Sequence, residues 1–172
     1  MGYGFPAAVG AKLGCPDLDV ISICGDGGIQ MNIQELATAV VYELPVIICI
    51  MNNGYLGNVR QWQELFYERR YADTCLRRRK SCPADCSRPH LECPIYIPDF
   101  IKLSESYGAV GIRVEHADEI PAALTAAKNV RKCPVVIEFM IRREENVFPI
   151  VAPGKPLSKM MQESRMCLKN VY

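Results

Sequence analysis

Two short polar turns, each set directly behind a run of β-branched residues, constrain this 172-residue chain more than any other feature. The first run, Asp19-Val20-Ile21-Ser22-Ile23-Cys24, closes on Gly25-Asp26-Gly27-Gly28. The second, Val46-Ile47-Ile48-Cys49-Ile50-Met51, closes on Asn52-Asn53-Gly54. Short apolar runs bounded by turn residues read as strands buried on both faces, the habit of a parallel sheet. The 25 residues between Asp26 and Asn52 suffice for a helical crossover between adjacent strands. That helix is predicted from Asn32, an N-cap with Glu35 at the capping-box position. Apolar residues recur at Ile33, Leu36, Ala37, Val40 and Val41, and Pro45 closes the helix. The unit is βαβ, and it brings both polar turns to one end of the sheet.

The rest of the chain repeats this alternation. Helices are predicted over 6–13, 56–67, 99–107 and 118–129, and strands over 111–114 and 134–141. Alternating strands and helices with short connections imply an α/β fold, a parallel sheet with helices on both faces, as one domain over 1–172. Two stretches break the pattern. Residues 74–97 carry four cysteines and the run Arg77-Arg78-Arg79-Lys80 with neither strand nor helix period, and read as a long inserted loop. The tail over 148–172, with Pro149, Pro153 and Pro156, reads as a strap across the surface.

Composition narrows the function classes. Lys and Arg number 20 against 19 Asp and Glu, a net charge of +1, which leaves no basic excess for a nucleic-acid footprint. The longest apolar stretch, Leu44 to Met51, is eight residues, against the roughly 20 that a membrane-spanning helix needs. The opening Met-Gly-Tyr-Gly-Phe-Pro has neither the basic nor the apolar region of a secretory leader, so a cytoplasmic protein with reduced thiols is expected.

In open parallel sheets ligands bind beyond the carboxyl ends of the strands, where both polar turns lie. Asp26 supplies an anionic oxygen and the Asn side chains supply neutral carbonyl oxygens. A backbone carbonyl adds another ligand, and phosphate oxygens and water complete the octahedron that magnesium prefers. The glycines let backbone N–H groups approach phosphates without Cβ interference, and the helix near Asn32 adds its positive end. Taken singly, Gly-Asp-Gly is a turn and Asn-Asn-Gly a loop. Together, each behind a buried strand and one helix apart, they point to a shared magnesium–diphosphate site.

On these residues the chain resembles the thiamine-diphosphate enzymes. Their signature runs from an apolar residue and Gly through Pro to Gly-Asp-Gly-Gly, and Val9-Gly10, Pro16, Ile21, Ile23 and Gly25-Asp26-Gly27-Gly28 match it, with Asn52-Asn53 at the family's distance. More narrowly, four segments are similar to the C-terminal domain of acetolactate synthase catalytic subunits. They are Met1-Gly2-Tyr3-Gly4-Phe5-Pro6-Ala7-Ala8, Gln34-Glu35-Leu36-Ala37-Thr38-Ala39, Gln61-Trp62-Gln63 and Glu144-Glu145-Asn146-Val147-Phe148-Pro149. The resemblance implies the thiamine-diphosphate-binding fold. It also implies magnesium held by the side chains of Asp26 and Asn53 and the backbone carbonyl of Tyr55, with the diphosphate against Gly25, Gly27, Gly28, Leu56 and Gly57. Met1 matches the bulky residue under the bent cofactor, Asn58 stands near the reacting carbon, and Trp62 matches the tryptophan of the second-substrate pocket. A lone Trp on an amphipathic helix is by itself a core residue, and only the resemblance reverses that reading.

The implied reaction condenses two pyruvates, or pyruvate with 2-oxobutyrate, with loss of CO2, in the pathway to valine, leucine and isoleucine. The implied partners are an N-terminal pyrimidine-binding domain of a neighbouring subunit in a homo-oligomer and a small regulatory subunit. Two departures qualify this. Asn58 stands where the family usually has Met, and makes the pocket more polar. The glutamate that activates the cofactor belongs to the N-terminal domain and structural FAD to a middle domain, so no catalytic glutamate is assigned here. Met1 sits inside a motif that normally follows a long upstream sequence. The chain is therefore expected to be part of a larger enzyme or a split subunit, inactive alone. Two rival readings are the cofactor-binding subunit of another thiamine-diphosphate-dependent 2-oxoacid decarboxylase or oxidoreductase, and a non-catalytic remnant.

Cys75, Cys82, Cys86 and Cys93 are separated by six, three and six residues, with His90 among them. No Cys-x2-Cys pair occurs, so a surface insertion carrying thiols is expected ahead of a zinc or iron–sulfur site. Cys15, Cys24, Cys49, Cys133 and Cys167 read as small hydrophobes.

Overall fold

A computed structural model describes residues 1–83, 86, 93–96 and 98–162. His90 and Cys167 lie outside the described residues. Four strands, β1 (Val20–Gly25), β2 (Val46–Asn52), β3 (Val110–Val114) and β4 (Val135–Met140), form one sheet in the order β1-β2-β4-β3. Every pairing is parallel, and Val20 lies beside Val46, which lies one residue from Ile47 opposite Val135. The alternation along β2 sorts its side chains between two cores. Val46, Ile48 and Ile50 pack with Phe5, Val9, Leu36 and Phe100 on one face, while Ile47 and Cys49 pack with Ala123, Ala127, Ile137 and Phe139 on the other.

The first face is covered by α1 (Gly4–Gly14), α3 (Glu35–Val41) and α5 (Phe100–Ser106), and the second by α6 (Ile120–Asn129), so the sheet is helix-covered on both faces. Asp99 caps α5 as its position suggests, accepting from the backbone N–H groups of Ile101 and Lys102. Helix α4 (Gly57–Phe66) fills the predicted span behind the asparagine turn. The edge strand β1 leaves the second face open, where Ile23 is 72% exposed.

Two local readings are corrected. The Gly-Asp-Gly-Gly turn is not an open loop: Asp26–Ile29 forms a four-residue helical turn, α2, entered from extended Gly25. Nor does Asn32 cap the crossover helix, which begins three residues later at Glu35. The Asn32 amide instead donates to the Gly2 carbonyl, and Glu35 accepts from the Thr38 hydroxyl at 2.8 Å. The box does not form: Gln34 stands at the N-cap position with no side-chain bond, and the Glu35 carboxylate is engaged forward by Thr38 and not back toward Asn32. Beyond Phe148, Ile150 and Met161 form an antiparallel bridge, and the residues between are largely exposed.

Candidate cofactor and metal site

The carboxyl ends of β1 and β2 meet at a cleft of about 370 Å³, a volume suited to a small organic ligand. Nine of the ten residues expected to touch cofactor line it: Met1, Gly25, Asp26, Gly27, Gly28, Tyr55, Leu56, Gly57 and Asn58. Gly28 and Gly25 face open space, so nothing in the protein fills the volume their missing side chains leave. Gly27 is different, because a Cβ there would stand 2.6 Å from Leu56 Cδ2 and 3.1 Å from Leu76 Cδ1. A side chain there would have to displace both leucines. Gly2 and Asn32 also border the cleft, and their clasp ties the N-terminal segment to its rim.

Asp26 sits at the base, 1% exposed, and among the described residues no Lys, Arg or His pairs with it. Its Oδ2 accepts the Gly54 N–H at 2.9 Å, and the Tyr96 hydroxyl lies beside the same carboxylate. Burial outweighs these donors and pushes the carboxyl up to about 6. A buried anion lacking a counter-cation is the chemistry expected of a hard-cation ligand, so the Asp26 carboxylate fits magnesium.

The asparagine pair divides its labour. Asn53 Oδ1 accepts from the Tyr55 N–H at 3.0 Å, closing a turn that presents residues 53–55 toward Asp26, although Asn53 itself does not line the cleft. Asn52 is 3% exposed and points under the loop; its Oδ1 accepts from the Gly54 N–H at 3.0 Å and its amide donates to Glu138 Oε1 at 2.7 Å. Gly54, at φ +73°, makes the loop's sharp bend.

The far side of the loop is pinned by the start of the cysteine-rich segment. Leu56 donates to the Thr74 carbonyl at 2.8 Å and Leu76 to the Gly54 carbonyl at 2.9 Å, a short antiparallel ladder centred on Tyr55 and Cys75. The Tyr55 ring is held between the Arg60 and Arg143 guanidinium groups, each 5.0 Å from its centroid. At its other end the same segment returns Tyr96 to the site, where Gln30 donates to its hydroxyl at 2.7 Å and Phe100 stacks 5.5 Å away. Both ends of 74–97 thus serve the site.

Trp62 lies elsewhere. It is 39% exposed on α4, packs edge-on to Phe66, and borders a separate surface hollow with Val59, Gln63 and Tyr67. It is not core, and it does not reach the cleft; Val59 borders both. Among the described residues no group of three or more His, Cys, Asp or Glu side chains is set to hold a metal, and this includes Cys75, Cys82, Cys86 and Cys93. No helix among them is long and apolar enough to cross a membrane. Sequence reasoning passed over Tyr96 and Glu138. Glu138 did carry a signal, since a carboxylate inside the apolar run Val135–Met140 must find partners when buried.

Residues 1–139 match the family model described as the thiamine pyrophosphate enzyme C-terminal TPP binding domain. The chain belongs to that family, an α/β cofactor-binding class to which both the parallel sheet and the glycine-lined cleft conform. Within it, the chain is 46% identical over 154 residues to the acetolactate synthase large subunit of Corynebacterium glutamicum, covering 90% of this chain and 22% of that protein. It is 38% identical over 162 residues to the acetolactate synthase isozyme 3 large subunit of Escherichia coli, covering 93% of this chain and 25% of that one. Among solved structures it is similar to the thiamine diphosphate-dependent 4-hydroxybenzoylformate decarboxylase of Rhodococcus jostii RHA1, with TM-score 0.65 and 30% identity over 85% of this chain and 24% of the other. The chain spans about a quarter of the length of these relatives.

Proposed function

We propose that this chain is the thiamine-diphosphate- and magnesium-binding part of an acetolactate synthase catalytic subunit. The observation that carries the reading is Asp26, a buried carboxylate with no cationic partner among the described residues, at the base of a glycine-lined cleft. Asp26, Asn53 and the Tyr55 carbonyl would hold magnesium, and Gly25, Gly27, Gly28, Leu56 and Gly57 would lie along the diphosphate. Met1 and Asn58 would flank the rest of the cofactor at the cleft mouth. Bound there, thiamine diphosphate supplies the carbanion chemistry that decarboxylates a 2-oxoacid, and the protein supplies orientation, charge and a dry pocket. The Gly54 donor keeps the Asp26 carboxylate oriented between occupancies. The exposed indole of Trp62, across Val59 from the cleft, would shape the second-substrate pocket in the complete enzyme.

The complete enzyme would join two pyruvates, or pyruvate and 2-oxobutyrate, in branched-chain amino acid biosynthesis. It would work as a cytoplasmic homo-oligomer with a small regulatory subunit. The activating glutamate and FAD would be held by other domains. Similarity to acetolactate synthase large subunits over about nine-tenths of the chain supports this choice of reaction. The test supplies the complementary N-terminal portion of the enzyme with thiamine diphosphate, magnesium and FAD, and follows pyruvate. Acetolactate is the expected product; release of acetaldehyde alone would assign a simple decarboxylase instead.

A further inference from the structure

Beneath the loop that Asp26 contacts lies a chain of polar groups, buried at Asn52 and Glu138 and reaching the surface at Arg113 and Asp99, that none of the cofactor assignments uses. Glu138 stands on β4 opposite Ile50 of β2 and Arg113 of β3, on the face that also carries Asn52 two residues along β2. It is 3% exposed, yet both carboxylate oxygens are engaged: Oε1 accepts from the Asn52 amide at 2.7 Å and Oε2 from Arg113 Nε at 2.9 Å. Arg113 is fixed in turn by Asp99, the cap of α5, at 3.0 Å. With its amide committed to Glu138, Asn52 must turn its oxygen upward, where it accepts the Gly54 N–H that also reaches Asp26. One backbone N–H thus joins two carbonyl-type oxygens, and its direction depends on how Asn52 is turned.

We infer that Glu138 is a positioning residue for the magnesium loop, acting through Asn52 to fix the Gly54 peptide between Asp26 and Tyr55. A terminal amide flips easily when only one of its ends is held. Glu138 removes that freedom, because only the Asn52 amino group can face a carboxylate. The inference rests on the proposed metal site and adds a residue outside its ligand shell. Partners of this kind typically change metal affinity by about 10–100-fold when lost.

The test titrates magnesium into the chain at fixed thiamine diphosphate and reads bound cofactor by equilibrium dialysis, with circular dichroism recorded for every variant. In Glu138→Gln, the new side chain cannot accept from both Asn52 and Arg113, and magnesium affinity is expected to fall about tenfold or more. Asn52→Asp alone sets two carboxylates against each other and is expected to fall as far. In the double variant, N52D with E138Q, donor and acceptor exchange places: the introduced carboxylate still accepts from Gly54, the introduced amide donates to it, and its oxygen accepts from Arg113. Affinity within about threefold of the parent in the double variant would establish the positioning role, since loss of fold in a single variant does not predict rescue. If the parent binds and either single variant binds equally well, or the double variant stays as weak as the singles, the inference is overturned while the metal site stands. If the parent shows no magnesium-dependent binding, both fall.

Discussion

The loop behind β2 and the middle of the cysteine-rich segment are both polar, both rich in turn-forming residues and both outside the regular elements, yet they are built differently. Between Asn52 and Leu56, side-chain oxygens of Asn52 and Asn53 and the carboxylate of Asp26 all accept backbone N–H groups from within the loop, and the Thr74–Leu76 backbone closes its other edge. From Arg77 to Cys82 the bonds run mainly from arginine side chains to nearby carbonyls, over one to five residues or to Pro94 and Ile95 in the same segment. The first loop is tied to the sheet through strands far apart in sequence; the second is tied mostly to itself. Ligand-binding precision comes from the first kind of restraint, because a loop anchored to rigid strands cannot drift from the geometry a metal requires.

The largest break in this comparison comes from Asp26→Asn. Thiamine diphosphate affinity in the presence of magnesium should fall more than about 100-fold, beyond the range of outer partners. The metal-free chain should move the opposite way. The Asp26 carboxyl is raised to about 6 from an unfolded value near 4, so its contribution to stability is full below about pH 4 and is lost as pH rises through 6. Asp26→Asn should therefore melt above the parent at pH 7, with the gap narrowing as pH falls toward about 4. Melting curves at both pH values check the sign; a parent more stable than the variant at pH 7 without metal would break it.

Gly28→Ala and Gly27→Ala divide binding from folding. At Gly28 a methyl enters open cleft, so cofactor affinity should drop by roughly tenfold, about 1.4 kcal/mol, with little change in melting temperature. At Gly27 the same methyl meets Leu56 and Leu76, so about 1 kcal/mol of stability should go as well. Parallel urea titrations and cofactor titrations separate the two.

Tyr96→Phe should cost at most about 1 kcal/mol, since it removes the hydroxyl donor group beside Asp26 and one of the two acceptors of the exposed Gln30 amide. With that donor gone, the pH at which the metal-free chain loses stability should shift upward. The smallest effect is expected at Cys82→Ser. Among the described residues its sulfur accepts only the Arg79 N–H in the local turn, a role a hydroxyl can fill, and cofactor affinity should stay within about twofold. Metal analysis of the purified protein should find no zinc or iron above background; a stoichiometric amount would mean that the segment is organised around an ion.

How much of this was legible in the sequence follows the same division. Strands β2 and β4 announced themselves through runs rich in Val and Ile, and the helix after Asp99 through a cap that needs only its own next turn. Asp26, the glycines and the asparagine pair could be brought together because one βαβ unit fixes where two strand ends meet. What the sequence concealed depends on partners distant along the chain. Asn32 looks like a cap, yet its amide clasps the Gly2 carbonyl and the helix starts only at Glu35. Tyr96 belongs to an unpatterned segment and gains meaning only where its hydroxyl meets Gln30 and Asp26. Trp62, assigned to a pocket by resemblance, stands on the exposed side of α4, away from the cleft within this chain.

The most direct test of the account is a calorimetric titration of thiamine diphosphate into the chain with magnesium and again with magnesium chelated. The account predicts saturable heat only when magnesium is present, because the Asp26 carboxylate is too buried to meet a diphosphate without a cation between them. Equal binding in both experiments, or binding in neither, would contradict it.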